Sequence, residues 1–243
     1  MFRIPNYLLL QRKLYENTYK MYDTRLSKTV LMKIFSNNEL LLKEYDNLLY
    51  IKSIKTKKES SKLQNTLYKT DNAIISDYIY GIDLFDYIVK YETNKSDFYK
   101  IMKNVCHCIE YLHKHNVMHL DIKPENFIIC EKTKNVTLID FYSLQNINNN
   151  NIETHCGTVK YMSPELRFKK LVYPETDLWS IGIIGFMLAT QTHPFDIHGC
   201  TYKNIKSYTY EQVLCKYKCD YLASHISKYL YLYPNLRTNV FIL

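Results

Sequence analysis

Glycine and long apolar runs are both scarce in this chain. Only 5 of its 243 residues are glycine, so a loop that cradles phosphate through glycine backbone is not expected. The apolar stretch Tyr7–Leu10 is too short for the core of a signal peptide, and the apolar segment Asp177–Thr190 is too short to span a membrane. We therefore expect neither a secretory leader nor a membrane span.

The residue composition and net charge indicate which class of protein this is. Apolar residues make up 47% of the chain and charged residues 23%, which are ordinary globular values and argue against disorder. The seven cysteines are scattered and odd in number, so we expect reduced thiols and a cytoplasmic location. The net charge is +8, but the densest lysine run, Lys52–Lys62, contains no aromatic residue. We interpret this run as a solvated loop and expect no nucleic-acid partner.

The first third of the chain is predicted to be strands around one helix. Apolar, β-prone runs occupy Tyr7–Leu14 and Thr29–Phe35. Ser36 and Glu39 form a capping box, which predicts that a helix begins there.

Within that helix, one carboxylate is predicted to point inward. Leu41 and Leu48 lie three and four residues from Glu44, so all three share one apolar helix face. Since a buried carboxylate requires a partner, Glu44 is expected to have one.

Beyond Asp77 the pattern becomes helical. Ser96 is predicted to cap a helix with the helical period of about 3.6 residues, whose apolar positions are Phe98, Ile101, Met102, Val105, Ile109 and Leu112. Two short strands are predicted at Phe127–Cys130 and Val136–Ile139. Asp177–Thr190 is apolar nearly all round, which indicates a buried helix.

One short segment concentrates the chemistry of phosphoryl transfer. Asp121, Lys123 and Asn126 supply a carboxylate, a cation and an amide, and Asp140 follows fourteen residues after Asn126. Phosphoryl transfer requires metal ligands, cations on the phosphates and a group that orients the attacking hydroxyl. Hard oxygen ligands of this kind suit Mg²⁺. Each residue alone could be structural, but their order and spacing are more specific than isolated structural residues would give.

The chain resembles the eukaryotic-type Ser/Thr protein kinase family from about Tyr7 to Arg237. Four ordered motifs carry the resemblance: His119–Asn126, Asp140–Tyr142, Gly157–Glu165 and Asp177–Gly182. Arg237 stands where the family has a late arginine that pairs with Glu165. The resemblance implies one kinase domain over residues 1–243 with an α+β, bilobal fold. Residues 1–77 would form a small β-rich N-lobe and residues 78–243 a larger, mainly helical C-lobe.

The resemblance also implies catalytic and metal-binding roles. Asp121 matches the catalytic base, and Asn126 and Asp140 match the Mg²⁺ ligands. Lys123 matches the lysine that neutralises the transferring phosphate. Together with Thr158, it favours Ser/Thr over Tyr acceptors.

A second set of residues is implied to bind ATP. Lys33 matches the strand lysine on the α- and β-phosphates, and Glu44 matches its helix partner; a plain surface ion pair is the alternative for these two. The segment Ile75–Ile79 resembles the hinge, with Ser76 at the gatekeeper position. Asp83 falls where family members often contact ribose. The complete predicted set is Lys33, Glu44, Asp77, Ile79, Asp83 and Ile128.

The sequence departs from the family pattern at three places. The segment Leu14–Met21 stands in place of the glycine-rich loop without containing a glycine. Tyr142 replaces the glycine that follows Asp-Phe, and Leu120 replaces the arginine common before the catalytic Asp.

The predicted function is that of an ATP- and Mg²⁺-dependent Ser/Thr protein kinase that acts on protein substrates. A catalytically impaired relative that serves as a binding or scaffold module stays open as the alternative. A small-molecule phosphotransferase lacks support, because Gly157–Glu165 and Arg237 belong to kinases with peptide substrates. The sequence pattern specifies neither the protein substrate nor the oligomeric state.

Overall fold

The computed structural model describes residues 4–56, 62–149, 153–154 and 157–237. The chain divides into two units. The first runs through Tyr80 and also includes Ile139–Tyr142, whereas the second contains Gly81–Leu138 and the chain from Ser143 onward. The boundary drawn from the sequence after residue 77 lies three residues earlier, and the grouping of residues 139–142 with the first unit was not foreseen.

The first unit consists of an antiparallel sheet and one helix. Its strands are β1 (Leu8–Tyr15), β2 (Thr18–Asp23), β3 (Lys28–Ile34), β4 (Thr66–Lys69) and β5 (Ala73–Asp77), in the order β1-β2-β3-β5-β4. Helix α1 spans Asn38–Ile54. Alternate strand residues point to opposite faces, and one face buries a core of Leu8, Met21, Val30, Met32, Ala73 and Ile75.

Helix α1 begins later than predicted, so the Ser36–Glu39 capping box is wrong. The cap is Asn37, whose side-chain oxygen accepts a hydrogen bond from the Glu39 backbone N–H at 2.7 Å. The predicted inward face is confirmed, because Leu41, Glu44 and Leu48 are all buried.

Only part of the Lys52–Lys62 run lies in the described residues. Lys52 is exposed in the last turn of α1, as an extension of the helix rather than as a loop. Lys55 is half-buried and donates to the Leu63 carbonyl at 2.6 Å, and burial lowers its pKa. Lys57 and Lys58 lie outside the described residues.

The second unit is mainly helical. Its helices are α2 (Leu84–Lys90), α3 (Lys95–Lys114), α4 (Pro164–Lys169), α5 (Pro174–Thr190), α6 (Ile205–Tyr217) and α7 (Asp220–Lys228). Short strands β6 (Ile82–Asp83), β8 (Phe127–Ile129) and β9 (Val136–Leu138) form one small sheet, and β7 (Val117–Met118) pairs with β10 (Gln145–Asn146). The predicted α+β class, β-rich first and helical afterwards, is confirmed.

The two long helices of this unit bury the faces that the sequence predicted. All six predicted apolar positions of α3 are buried. Its cap is Asn94, which accepts from the Asp97 backbone N–H at 2.9 Å, so the predicted Ser96 cap is wrong. Helix α5 is buried from Thr176 to Ala189 as expected. It begins at Pro174, whose fixed φ suits the first helical position.

Among the described residues, no helix combines the length and apolar character needed to cross a membrane.

Candidate active site

Asp177, near the start of α5, fixes the backbone of the loop that carries Asp121. Its two carboxylate oxygens accept from the backbone N–H groups of His119 at 2.9 Å and Leu120 at 2.8 Å. A third contact joins the carboxylate to His113 Nε2 at 2.8 Å. Burial would raise the pKa of Asp177, but the hydrogen bond and charge of His113 hold it below its ordinary value. The carboxylate is therefore ionised and anchors the loop.

The loop backbone adopts a conformation that bulky residues rarely take. Leu120 has φ of 63°, in the left-handed region. Gly157, with φ of 88°, approaches it closely: a Cβ at position 157 would lie 2.5 Å from the Leu120 carbonyl oxygen. Glycine is required there, and it brings the neighbouring Thr158 towards Asp121.

Asp121, Lys123 and Thr158 form a closed cluster. The Thr158 hydroxyl donates to Asp121 Oδ1 at 2.8 Å. Lys123 Nζ lies 3.0 Å from Asp121 Oδ2 and donates to Thr158 Oγ1 at 3.0 Å. The lysine thus balances the aspartate charge, and a hydroxyl already occupies one aspartate oxygen.

Asn126 joins this cluster through its amide. Its Nδ2 donates to the Asp121 carbonyl oxygen at 2.8 Å, and the residue is buried within a short 3-10 helix, Pro124–Asn126. An amide ligates a hard cation through its oxygen, and the bond to Asp121 uses only the nitrogen. Four of the five predicted catalytic residues are therefore close together in the second unit.

In the first unit, Lys33 on β3 pairs with Glu44 on α1. Lys33 Nζ lies 2.9 and 2.7 Å from the two Glu44 oxygens and 3.6 Å from Asp140 Oδ2. Glu44 is 4% exposed, so the alternative of a plain surface ion pair does not fit. Burial raises the pKa of Glu44 to about 7, although Lys33 opposes the shift. Burial would lower the pKa of Lys33, but Glu44 and Asp140 raise it overall.

Asp140, the fifth predicted catalytic residue, belongs to this first unit. It has φ of 62°, and its Oδ1 accepts from the Tyr142 backbone N–H at 3.2 Å. Its Oδ2 faces Lys33, and the side chain is 38% exposed. A partly exposed carboxylate and the amide oxygen of Asn126 are hard donors that fit Mg²⁺. The metal-binding roles of these two residues stay predictions.

The remaining residues of the predicted ATP set are divided between the units. Asp77 ends β5, where its carboxylate accepts from Lys28 at 2.6 Å and from Asn65 at 2.9 Å. Ile79 is half-buried in the segment that follows. Asp77 thus bonds within its own unit, which sequence reasoning did not foresee.

Asp83 and Ile128 are neighbours in the second unit. They are paired residues in the ladder between β6 and β8. Asp83 also caps α2, because its Oδ1 accepts from the Asp86 backbone N–H at 2.8 Å. The structure therefore brings together two predicted ATP-contacting residues that lie 45 positions apart in the sequence.

Comparison with known proteins identifies the family. Residues 15–231 match the family model described as the protein kinase domain. This chain belongs to the protein kinase family. The predicted family and its two-part α+β fold are thereby confirmed.

The similar proteins are named as protein kinases. The kinase domain is 32% identical to a carbon catabolite-derepressing protein kinase of Saccharomyces cerevisiae over 74% of this chain and 29% of that protein. It is 39% identical to sucrose non-fermenting protein kinase 1 of Fusarium virguliforme over 54% of this chain and 19% of that protein. It is 36% identical to a human SNF-related serine/threonine-protein kinase over 61% of this chain and 19% of that protein. The chain thus spans less than a third of each relative.

The glycine-free segment of this kinase domain forms a tight hairpin. Tyr15 at the end of β1 pairs with Thr18 at the start of β2, so only Glu16 and Asn17 make the turn. The Asn17 carbonyl accepts from the Ile34 backbone N–H at 2.8 Å, which ties the turn to the end of β3. Neither turn residue has positive φ. The hairpin thus closes in a two-residue turn, and its pairing is irregular beside that turn, where the register shifts between Lys13 and Tyr15.

Two residues near the kinase motifs were not found by sequence reasoning. His113, which bonds to Asp177, lies in the last turn of α3 and carries no motif of its own. Asn47 lies inside α1, and its amide bonds to the backbone of residues 141 and 142. The available signal for Asn47 was its residue type, because Asn is unfavourable inside a helix unless its side chain has a specific use.

Proposed function

We propose that this kinase domain transfers the γ-phosphoryl group of ATP to Ser or Thr hydroxyls of protein substrates. The proposal depends on one observation above all, the closed cluster of Asp121, Lys123 and Thr158. Asp121 Oδ1 accepts a hydroxyl hydrogen bond from Thr158 at 2.8 Å. An acceptor Ser or Thr hydroxyl would take the same position, and Asp121 would orient it and receive its proton.

Lys123 supplies the charge that this step requires. Its ammonium lies 3.0 Å from Asp121 Oδ2, where its positive charge can also neutralise a phosphate that approaches Asp121. Its bond to the Thr158 hydroxyl joins it to the Gly157–Glu165 segment, which belongs to kinases with peptide substrates. The names of the similar proteins, which include a serine/threonine-protein kinase, support protein acceptors.

On the nucleotide side, Lys33 would bind the ATP phosphates and Glu44 would orient it. Both oxygens of Glu44 contact the lysine ammonium, which holds it in one direction. Asp140 and Asn126 would hold Mg²⁺, whose charge shields the phosphate oxygens during transfer. Asp77, Ile79, Asp83 and Ile128 complete the proposed nucleotide contacts.

A phosphotransfer assay with Asp121→Asn tests the proposal. Labelled phosphate from Mg²⁺-ATP would be followed into a generic protein acceptor, with identification of the phosphorylated residue type. A general base contributes roughly 10²–10⁴-fold to the rate, so kcat should fall by about that factor while nucleotide affinity stays near that of the wild type. Asp71→Asn, at an exposed turn, is the matched control.

Each outcome has a definite meaning. Near wild-type turnover in Asp121→Asn would refute the base assignment. Phosphotyrosine as the main product would refute the Ser/Thr preference. Absence of turnover and of Mg²⁺-ATP binding in the wild type would replace the proposal with the binding-module alternative.

A further inference from the structure

Asn47 connects helix α1 to the backbone beside Asp140. Its Nδ2 donates to the carbonyl oxygens of Phe141 at 2.8 Å and Tyr142 at 3.2 Å. One turn earlier on the same helix, Lys43 Nζ lies 4.8 Å from the centre of the Tyr142 ring, within cation–π range. Two side chains of α1 therefore contact residues 141–142, and all these residues belong to the first unit.

Asp140, the residue just before the two that Asn47 contacts, has a backbone conformation that non-glycine residues seldom adopt. Asp140 has φ of 62°, and a non-glycine residue in the left-handed region persists only when its surroundings fix it. Within the segment, Asp140 Oδ1 accepts from the Tyr142 N–H at 3.2 Å. The Asn47 bonds add an external constraint on the two residues that directly follow Asp140.

Asparagine at position 47 is unfavourable for the stability of helix α1 itself. Asn has a poor helix propensity, because its side chain competes for backbone hydrogen bonds, and residue 47 lies well inside α1. A leucine there would favour the helix itself. A residue with poor helix propensity inside a helix indicates that contacts elsewhere in the structure favour it. For Asn47 these contacts are the hydrogen bonds to residues 141 and 142.

We propose that Asn47 is a positioning residue for phosphotransfer. It holds the backbone of residues 141–142 so that the Asp140 carboxylate stays beside Lys33, at the 3.6 Å observed. Tyr142, packed under Lys43, assists by occupying the place of a glycine that would allow many more backbone conformations. This inference rests on the proposed kinase function, since Asp140 needs a fixed orientation only if it serves the bound nucleotide.

Hydrogen exchange without nucleotide tests the constraint independently of activity. Wild type would be compared with Asn47→Leu and Asn47→Asp, which keep the approximate size and remove the N–H donor. We expect exchange in peptides containing residues 139–142 to rise about tenfold, equivalent to about 1.4 kcal/mol, and exchange elsewhere to stay unchanged. Asp46→Asn, the exposed neighbour on the same helix, is the control. Unchanged exchange in both Asn47 variants would overturn the proposal.

Steady-state kinetics test whether the constraint positions Asp140. In the Asn47 variants, kcat should fall about tenfold and the Mg²⁺ concentration for half-maximal rate should rise, while KM for the protein acceptor stays the same. Asn47→Gln retains the amide donor and should partly restore kcat and the Mg²⁺ concentration for half-maximal rate. Faster exchange with unchanged kinetics would mean that the bonds only stabilise the fold, which overturns a positioning role.

The two proposals fail in different ways. If the wild type shows no phosphotransfer, the proposed function fails, and the exchange result alone decides whether Asn47 constrains the segment. If the wild type is active but the Asn47 variants match it in both measurements, the positioning proposal fails alone. Faster exchange over the whole chain in both Asn47→Leu and Asn47→Asp would indicate general destabilisation and would also overturn the positioning proposal.

Discussion

Replacing Arg237 with methionine should strongly destabilise the second unit. The Arg237 side chain is fully buried and forms a bidentate pair with Glu165, with both N–O distances at 2.7 Å. It also donates to backbone carbonyls of Tyr231 at 2.8 Å and Glu175 at 3.0 Å. Burial would raise the pKa of Glu165, but Arg237 holds it below its ordinary value. Arg237→Met would leave the Glu165 carboxylate buried without its cation, with Thr176 Oγ1 at 3.0 Å among its remaining donors.

The expected magnitude follows from this burial. Removal of one partner of a buried ion pair costs about 3–5 kcal/mol. For a chain of this size, 1 kcal/mol shifts Tm by about 2–4 °C, so Tm should fall by roughly 6–20 °C. Urea unfolding followed by circular dichroism and by Trp179 fluorescence would measure the change in the free energy of unfolding, and thermal unfolding would measure Tm. The indole is a local reporter, because the Arg237 guanidinium carbon lies 5.2 Å from its ring centre.

Two further variants make the result decisive. Glu165→Met combined with Arg237→Met removes both charges and should recover much of the loss, since isolated buried charge is the main penalty. Lys160→Met breaks an exposed pair with Asp196 at 3.3 Å and should change the free energy of unfolding by less than about 1 kcal/mol. A loss below about 1 kcal/mol in Arg237→Met would refute the reasoning, as would a double variant less stable than the single.

Two more predictions concern the first unit. The pKa of Glu44 is raised to about 7, above its unfolded value of about 4.3, so the folded state binds the proton more tightly and stability should decline as pH rises between these values. Ionised Glu44 pairs with Lys33, so kcat/KM should rise through about pH 7. Glu44→Gln should flatten the pH dependence of both stability and kcat/KM, whereas Glu39→Gln, at an exposed position, is the control. Unchanged pH profiles in Glu44→Gln would contradict the assignment. The dissociation constant for Mg²⁺-ATP should be about one to two decades higher here than in kinases with a glycine-rich loop. The reason is that about one charge-assisted hydrogen bond to phosphate, worth roughly 1.5–3 kcal/mol, is missing. Calorimetry would measure this, and low-micromolar ATP binding without metal would contradict it.

Helix faces could be predicted from the sequence because burial follows a short-range period. The spacing of Leu41 and Leu48 around Glu44 was sufficient to place the carboxylate inward, where Lys33 meets it. Helix starts were predicted less well. Ser36 and Asn37 are adjacent capping residues whose energies as caps differ little, so the sequence does not determine which one leaves the helical conformation. The same competition explains Asn94 in place of Ser96.

Contacts between distant residues could not be predicted where no motif marks both partners. Asp121 and Thr158 lie 37 positions apart, but each belongs to a recognisable motif, so the resemblance suggested both. Asn47 and Phe141 lie 94 positions apart, and only Phe141 belongs to a motif. No periodicity relates a helix side chain to a backbone carbonyl in a later segment, so a bond of this kind becomes visible only in the folded chain.

The two glycine replacements in the first unit have a common physical consequence. In the hairpin, Glu16 and Asn17 form a turn whose Asn17 carbonyl accepts a hydrogen bond from Ile34, the last residue of β3, the strand that carries Lys33. At position 142, a tyrosine contacts Lys43 while its carbonyl accepts from Asn47. Both places lose backbone freedom that glycine would give, and both gain contacts that fix the backbone instead. Without glycine, backbone N–H groups approach a phosphate less closely, because each Cβ adds bulk. Under the proposed function, phosphate binding would therefore depend mainly on charged side chains, above all Lys33, which lies 2.7 Å from Glu44 and 3.6 Å from Asp140.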